Sequence, residues 1–192
     1  MKLPELYELL QSRVMPYKVE PDMLRLRDKA AISLLVETGL RVSEARKLRK
    51  GQFVFSDPNF IVIADAQTSK RGVAREEIPL PLKGAMSPFT SIVQEWILKI
   101  PAKENFALPT GSGMAKTGIL WNAPLSRQRI HVIVKAITGK YPHYLRAMTE
   151  THYGRIFRTN WALKDFMGLT DLRSTEPYVK TDWRDYANKM LE

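Results

Sequence analysis

Residues 31–50, AISLLVETGLRVSEARKLRK, contain two helical patterns separated by a glycine and an arginine. The apolar repeat of the first pattern predicts a helix over about 22–38, and Gly39 is the residue type that most often follows a helix end. Arg41 lies at the junction with the next helix, where a short polar residue would suffice as a cap. A full positive charge at this junction therefore indicates a role beyond capping.

The balance of charges favours a polyanionic partner. The chain has 192 residues, and 30 Lys+Arg against 20 Asp+Glu give a formal net charge of +10. Such an excess suits nucleic acid or an anionic membrane surface. No basic helix with a strongly apolar opposite face is found, so nucleic acid is the favoured partner. A basic protein without such a partner is the alternative.

Several classes of protein are excluded by what the sequence lacks. No segment approaches the roughly 18 consecutive apolar residues of a membrane span. The start, MKLPELYELLQSR, does not resemble a secretory signal, and no membrane association is expected. The chain contains no cysteine, which excludes disulfides, thiolate metal sites and cysteine catalysis and fits a reducing compartment.

The remaining pattern predicts one domain, mainly α with a small three-stranded antiparallel β-sheet. Strands are predicted over 53–55, 60–64 and 77–80. The other helices are predicted over 2–12, 44–50 (with Ser43 as N-cap), 88–100, 126–138, 142–153, 159–167 and 182–191. The segment 101–118 reads as a loop.

Two familiar kinds of site are rejected on spacing. The stretch GSGMAKTG, 111–118, lacks the glycines of a phosphate-binding loop, whose places hold Ala115 and Thr110. The three histidines show no metal-binding spacing, because His143 and His152 are nine residues apart and no His-Glu-x-x-His pattern occurs. Neither a metal nor another cofactor is expected.

A different set of residues suits phosphodiester chemistry. His143 and Arg146 share one face of a predicted helix, and Arg41 is the second arginine of the set. Planar guanidinium groups suit the extra charge on the phosphate oxygens in the transition state, and Tyr178 can attack and store the phosphate as an ester. Taken alone, each residue has a more ordinary explanation as a solvated charge, a DNA-backbone contact or a packed tyrosine.

Three motifs together resemble those of one known family. ETGLRVSEARKL resembles the first arginine motif of the tyrosine recombinases, the phage-integrase family, often written TGLRxSExxxL. PHYLRAMTETHYG resembles the His-x-Leu-Arg motif, and MGLTDLRSTEPYVK resembles the closing LGHxxxxTTxxY motif. They occur in the order of the family, with a predicted three-stranded segment between the first two. The resemblance implies the architecture of a tyrosine recombinase catalytic domain.

The resemblance also implies roles for individual residues. Arg41 and Arg146 would bind the scissile phosphate, and His143 would assist in proton transfer and phosphate binding. Tyr178 would be the nucleophile that forms a 3′-phosphotyrosyl link to DNA. The family also has a lysine in the hairpin loop of its sheet that protonates the leaving 5′-oxygen, and a mobile ammonium can supply such a proton. Lys70 matches best, with its neighbour Arg71 as the competing choice.

One position departs from the family. Nine residues before the tyrosine, where His or Trp is usual, this chain has Leu169, which cannot donate a hydrogen bond to a phosphate. A lost donor of this kind costs on the order of 1–3 kcal/mol of transition-state stabilisation. Another group substitutes for it, the reaction is slower, the register of this motif is shifted, or the position acts through its shape. His152 is a second histidine that lies close enough to contribute.

The implied function is site-specific DNA strand exchange without metal or ATP, in the cytoplasm of a prokaryotic host and with a mobile element or virus as the setting. The alternatives are a topoisomerase IB-like relaxer and a DNA-binding relative with impaired catalysis. Because the first arginine motif begins at residue 37, residues 1–192 are expected to be a single catalytic domain without the N-terminal clamping domain of the family. The predicted helix 182–191 either docks on a neighbouring subunit or packs on its own chain, and a homotetramer on double-stranded DNA is expected.

Overall fold

A computed structural model of the chain describes residues 1–17, 21–66, 75–111, 118–157 and 159–169. The helices in these ranges are α1 (Leu3–Ser12), α2 (Pro21–Thr38), α3 (Val42–Ala45), α4 (Ser87–Lys99), α5 (Arg127–Thr138), α6 (Pro142–Phe157) and α7 (Asn160–Met167). The strands are β1 (Phe53–Val54), β2 (Phe60–Ala66), β3 (Arg75–Pro81), β4 (Pro109–Gly111) and β5 (Ile119–Pro124). This mainly helical architecture with a three-stranded antiparallel sheet confirms the predicted fold class.

Helix α2 forms the centre of the fold. All residues from Ala30 to Leu40 are buried, and α4 and α6 pack along the helix. Its apolar side chains belong to one continuous core, in which each fully buried leucine or isoleucine contributes about 1.5–3 kcal/mol. Because this burial continues beyond the last turn, the chain that leaves α2 is held at a defined position.

Helix α3 is shorter than predicted. It spans Val42–Ala45 rather than 44–50, and Arg41, not Ser43, is its N-cap residue. The carboxylate of Glu44 accepts the backbone N–H of Arg41 at 2.7 Å, so an acidic side chain of the first turn satisfies this end. The helix stops early because the backbone of residues 48 and 49 forms a hydrogen bond and a β-bridge with residues 106 and 107. The Leu48 carbonyl accepts a backbone N–H from residue 107, and the next residue forms a β-bridge with residue 106.

The three-stranded sheet confirms the predicted strands and fixes the two residues that flank the segment 67–74. Strand β2 lies in the middle, with Ile63 opposite Phe53 of β1 and opposite Ile78 of β3. These three side chains are buried against the helical core. The ladder between β2 and β3 ends at the pair Ala66 and Arg75, which flank residues 67–74. The two ends of this segment are therefore fixed next to the end of α2.

The prediction of a loop over 101–118 is wrong in part, because a second, two-stranded sheet lies there. Strands β4 and β5 pair antiparallel with a register irregularity between Pro109 and Thr110. The sequence PTG of β4 has no alternating pattern and low strand propensity, so local preference does not predict it. The strand is held by tertiary contacts instead, since buried Arg27 of α2 donates to the carbonyls of Pro109 and Gly111.

The helices of the second half confirm the predictions. Helix α5 begins after Ser126, whose hydroxyl accepts a backbone N–H at 3.0 Å, and ends at Gly139 with φ of +72°. Helix α7 begins after Thr159, which caps it in the same way. Helix α6 continues about one turn beyond its predicted end. The predicted helix 182–191 lies outside the described residues.

Candidate active site

The C-terminal end of α2 binds cationic side chains from two other elements. The last carbonyls of a helix have no helical partner and carry partial negative charge. Both Nη groups of Arg75, the first residue of β3, donate to the Thr38 carbonyl at 2.9 and 2.6 Å. Arg146 of α6 donates through Nη1 to the carbonyl of the next residue, Gly39. Two guanidinium groups therefore lie next to each other at this helix end.

Gly39 permits the close approach of α7 to this junction. Its φ is +60°, a conformation that L side chains rarely adopt, and its N–H donates to the Leu35 carbonyl at 3.0 Å. A Cβ at this position would lie 2.8 Å from Sδ of Met167 and 3.2 Å from Cγ2 of Thr149. The prediction that Gly39 ends the helix is confirmed, and its lack of a side chain also allows this packing.

Arg41 is oriented by a carboxylate one turn ahead. Its backbone N–H and its Nη1 donate to the two oxygens of Glu44, at 2.7 and 3.2 Å. Glu44 is almost fully buried, whereas 47% of the Arg41 side chain is exposed. Because the buried partner is fixed, the guanidinium of Arg41 is held in place with one part of it open to solvent.

Arg146 and Arg75 are buried close to each other. Arg146 donates from Nε to Glu150 Oε1 at 3.1 Å, one turn further along α6. Burial lowers the pKa of Arg146, while Glu150 raises it and Arg41 lowers it again. Burial, and then the charge of Arg146, lower the pKa of Arg75 to about 9, so this guanidinium also stays protonated at neutral pH.

A buried carboxyl group near this helix end does not offset these charges. Glu37 accepts a hydrogen bond from the Thr90 hydroxyl, and its Oε2 has no hydrogen-bond partner among the described residues. Burial raises the pKa of Glu37 to about 8, although the bonds from Thr90 lower it in part. At pH 7 this group is therefore mainly protonated and neutral.

Arg41, His143 and Arg146 line one surface cleft of about 260 Å³. His143 lies in the first turn of α6 with an exposed side chain, three residues before Arg146 and on the same face. The structure thus brings these three predicted site residues to one cleft, and their catalytic role stays a prediction. Two helix ends that are far apart in sequence thus present two guanidinium groups and an imidazole to one space.

Sequence reasoning missed two further residues of this cleft. Arg127 and His131 of α5 also line it, and both are exposed. They are four residues apart on a helix that the sequence predicts, so they share a face. This spacing could have predicted that Arg127 and His131 lie side by side on an exposed face of the helix. It could not have predicted that this face borders the cleft with Arg41.

The other predicted site residues lie at or beyond the limits of the described chain. Lys70, with its competitor Arg71, and Tyr178 lie outside the described residues. Leu169 is the last residue of its segment, half-buried against the core. Together with Arg75 it lines a second cleft, beside the one that holds Arg41. Leu169, which cannot donate a hydrogen bond, therefore lies in the same cleft as Arg75.

His152 does not line the Arg41 cleft. It lies on α6, half-buried, with its ring edge against Tyr153 at a centroid distance of 5.1 Å. Burial, and then the charge of Arg155, lower the pKa of His152. His152 therefore packs against its neighbour in the fold and does not belong to the cleft with Arg41.

The described part of the chain offers neither a metal site nor a membrane span. Within it, no group of three or more metal-ligating side chains comes together. In the same ranges, no helix has both the length and the apolar character needed to cross a bilayer. The cleft is instead lined by arginine and histidine side chains, which bind and polarise a phosphate group through charge-assisted hydrogen bonds.

The fold is that of the tyrosine recombinase catalytic domains. The model of the phage integrase family matches residues 5–184, and the chain belongs to this family.

Curated relatives cover most of the chain at low identity. The tyrosine recombinase XerD of Chlamydia pneumoniae is 25% identical over 202 residues, which cover 98% of this chain and 64% of that protein. The tyrosine recombinase XerC of Pseudomonas fluorescens (strain Pf0-1) is 24% identical over 175 residues, covering 88% and 53%. The chain thus spans about half to two thirds of the length of these relatives.

Solved structures share the fold. The site-specific recombinase XerH, bound to its difH substrate in a pre-cleavage complex, matches with a TM-score of 0.69 and 17% identity, covering 99% of this chain and 51% of that one. A lambda integrase dimer bound to a COC′ core site matches with a TM-score of 0.55 and 17% identity, covering 94% and 58%.

Proposed function

We propose that the chain carries the catalytic site of a site-specific DNA recombinase or integrase, which breaks and rejoins strands through a 3′-phosphotyrosyl intermediate. The observation that supports this most directly is the cleft shared by Arg41, His143 and Arg146. Its size and its cationic lining suit a single phosphodiester. Membership of the phage integrase family and the DNA-bound relatives support the same proposal.

In the proposed reaction, the hydroxyl oxygen of Tyr178 attacks the phosphorus. The new bond from phosphorus to the tyrosine oxygen forms as the bond to the 5′-oxygen breaks, and His143 accepts the phenolic proton. Lys70 donates a proton to the departing 5′-oxygen. Arg41 and Arg146 stabilise the charge on the two non-bridging oxygens, and His143 binds one of these oxygens.

The second step reverses the chemistry. A 5′-hydroxyl of a partner duplex attacks the phosphotyrosyl phosphorus, a new phosphodiester forms, and the tyrosine is released. Because the phosphotyrosyl bond conserves the energy of the broken phosphodiester, the exchange needs no nucleotide hydrolysis.

Double-stranded DNA is the proposed partner, and a homotetramer is the proposed assembly. Exchange between two duplexes cuts four strands, and each cut uses one tyrosine. The net charge of +10 and the exposed Arg127 and His131 on the cleft wall suit binding of the DNA backbone. The cytoplasm of a prokaryotic host, at its nucleoid, is the proposed compartment.

A nicked duplex tests this function without knowledge of the target site. We would incubate the protein with a library of nicked, end-labelled duplexes of randomised sequence, in which the short 5′-hydroxyl fragment diffuses away after cleavage. Wild type should form a covalent adduct that survives SDS and disappears on protease treatment. Tyr178→Phe should bind the same DNA and form none. Sequencing of the trapped DNA would then give the preferred site.

Each other outcome favours a different function. Binding without an adduct from wild type would contradict the enzyme and indicate a DNA-binding protein with impaired catalysis, for which Leu169 is the motivating departure. An adduct with relaxation of supercoiled plasmid, but without recombinant product on paired sites, would indicate a topoisomerase-like activity. Chemical cross-linking of the trapped complex measures the number of subunits.

A further inference from the structure

Arg75 is a buried residue to which the chemistry above assigns no role. Its side chain enters the protein from the first position of β3, and the residue is 6% exposed. Both Nη groups donate to one backbone oxygen, the carbonyl of Thr38, at 2.9 and 2.6 Å. The guanidinium carbon also lies 5.4 Å from the ring centroid of Phe166 on α7. The guanidinium group is therefore engaged by the fold. Arg75 does not line the cleft that holds Arg41, although it borders the second cleft beside Leu169.

The carbonyl that Arg75 binds is three residues before Arg41. Between them, the Gly39 carbonyl receives the donor from Arg146. Arg75 and Arg146 thus hold two consecutive carbonyls of the segment that connects α2 to Arg41. Loss of either contact would leave a buried carbonyl without its donor, and the connecting segment would move to recover one.

Arg75 also connects this segment to the sheet. It pairs with Ala66 in the last pair of the β2–β3 ladder, directly after residues 67–74. One side chain therefore fixes the end of the hairpin and the end of α2 relative to each other. Neither α2 nor the hairpin alone determines that distance.

We propose that Arg75 is a positioning residue, which holds the segment 38–41 so that Arg41 and Arg146 face the same phosphate. This inference rests on the proposed function for its chemical consequence. Arg75 acts through the Thr38 carbonyl rather than by contact with DNA. Its loss should therefore slow the chemical step and leave DNA affinity nearly unchanged.

The first test separates binding from chemistry. For wild type, Arg75→Ala and Arg75→Lys, we would measure the dissociation constant for an intact duplex and the single-turnover rate of adduct formation at saturating DNA. Displacement of a catalytic group by about 1 Å can cost on the order of a hundredfold. Arg75→Ala should thus lose about ten- to a hundredfold in rate, with affinity within about threefold. Arg75→Lys keeps a charged donor and should recover part of the rate.

A matched control excludes a general loss of stability. Ile97→Ala removes a buried side chain of α4, about two turns from the residue that contacts Glu37, and lowers stability without altering the segment 38–41. Its adduct rate, measured where it is folded, should equal that of wild type. Equal rates for wild type and Arg75→Ala would overturn the proposal, and so would an Arg75→Ala defect that lies only in DNA affinity.

A double-mutant cycle tests the route of the effect. If Arg75 acts through Arg41, then Arg75→Ala should cost much less in an Arg41→Lys background than in wild type, since the aligned guanidinium is already absent. Fully additive losses would show that Arg75 acts independently and would contradict the proposed route.

A measurement without DNA separates this proposal from the proposed function. Amide hydrogen exchange over residues 37–45 should accelerate in Arg75→Ala but not in Ile97→Ala. If wild type forms no adduct with any duplex, the recombinase function fails, and this exchange still tests the positioning role. Unchanged exchange over 37–45 in Arg75→Ala would overturn that role, whatever the activity of the wild type.

Discussion

The two ends of α2 both bury guanidinium groups, but they differ in how the charge is balanced. In the first half of the helix, Arg27 makes five hydrogen bonds, which match its five N–H groups. It donates to Asp28, to the Tyr17 hydroxyl and to the carbonyls of Pro109 and Gly111. Its carboxylate partner lies 2.7 Å away. The charge of Arg27 is therefore paired with that of Asp28 inside the fold.

At the other end, positive charge is in excess among the described residues. Arg41, Arg75 and Arg146 lie near two carboxylates, those of Glu44 and Glu150. Two of these three guanidinium groups are buried and donate to backbone carbonyls rather than only to acids. The buried guanidinium groups have already lost their water when the protein folds. An anion that binds them therefore does not bear that cost again, and the cluster binds it more strongly than a balanced cluster would.

The comparison thus distinguishes a structural arginine from a functional one. A fully matched guanidinium stabilises the fold and offers nothing to a ligand. A cluster in which arginines outnumber carboxylates favours an anion, and a phosphate is the one that the proposed function supplies. Four experiments test this distinction, from the largest expected effect to the smallest.

Replacing Arg27 should damage stability and spare chemistry. Arg27→Met leaves Asp28 buried without its partner, and breaking such a pair costs about 3–5 kcal/mol. Urea unfolding should show this loss. The adduct rate per folded molecule should remain that of wild type at a temperature where the variant is folded. Unaltered stability would contradict the structural role of this cluster.

Replacing Arg146 should give the opposite result. Arg146→Ala removes a transition-state donor, and we expect the adduct rate to fall by about 10²–10³ at saturating DNA. Stability should also fall, by about 1–3 kcal/mol, since the Gly39 carbonyl and the buried Glu150 carboxylate lose this donor, so the rate is compared per folded molecule. The control is Arg146→Lys, which keeps the charge without the planar fork. If Arg146→Ala cleaved normally, the functional half of the comparison would be wrong.

The protonation state of Glu37 decides whether the positive charge at the end of α2 stays in excess at neutral pH. Burial raises its pKa from the ordinary 4.5 to about 8. Between these values the folded protein holds a proton that the unfolded chain has lost, so stability falls as pH rises, by at most ~1.4 kcal/mol per unit. Glu37→Gln should not show this fall. Unfolding curves at pH 6 and 7.5 should differ by ~2 kcal/mol for wild type and by clearly less for the variant.

The same experiment can contradict the comparison. If wild type and Glu37→Gln shared one pH profile, Glu37 would be ionised in the folded protein at neutral pH. It would then offset part of the charge of the nearby arginines, and the contrast between the two ends of α2 would weaken.

Two arginines of α5 provide the finest test, because they lie two residues apart and border different clusters. Arg127 lines the cleft, whereas Arg129 donates to the Tyr17 hydroxyl at 3.0 Å. Arg127→Ala should reduce the slope of log affinity against log salt by about one. Arg129→Ala should leave that slope unchanged and lower stability by about 1 kcal/mol. Identical salt slopes for the two variants would show that the α5 face does not contact the DNA backbone.

Much of the fold is predictable from local signals in the sequence. Gly39, Ser126 and Gly139 mark helix ends that the structure confirms, and alternation predicts the three-stranded sheet. The errors arise where distant contacts override local preference. Residues 48–50 are suitable for a helix but bond to the segment 105–107, and the sequence PTG forms a strand that a buried arginine holds.

The site is predictable to a smaller extent. Arg41, His143 and Arg146 are predicted from motifs, and the structure places them in one cleft. Arg75 could not be identified in this way, because no spacing in the sequence shows which carbonyl a guanidinium reaches. Lys70 and Tyr178 remain predictions.

The side-chain donors at the end of α2 also limit how this protein can vary in length. The carbonyls of Val36, Thr38 and Gly39 are each bound by a side chain from α6 or β3. One extra residue among them would shift every later carbonyl away from its donor and re-aim Arg41. Insertions should accumulate instead in the exposed turn 56–59 between β1 and β2, which is also where a fluorescent tag could be grafted.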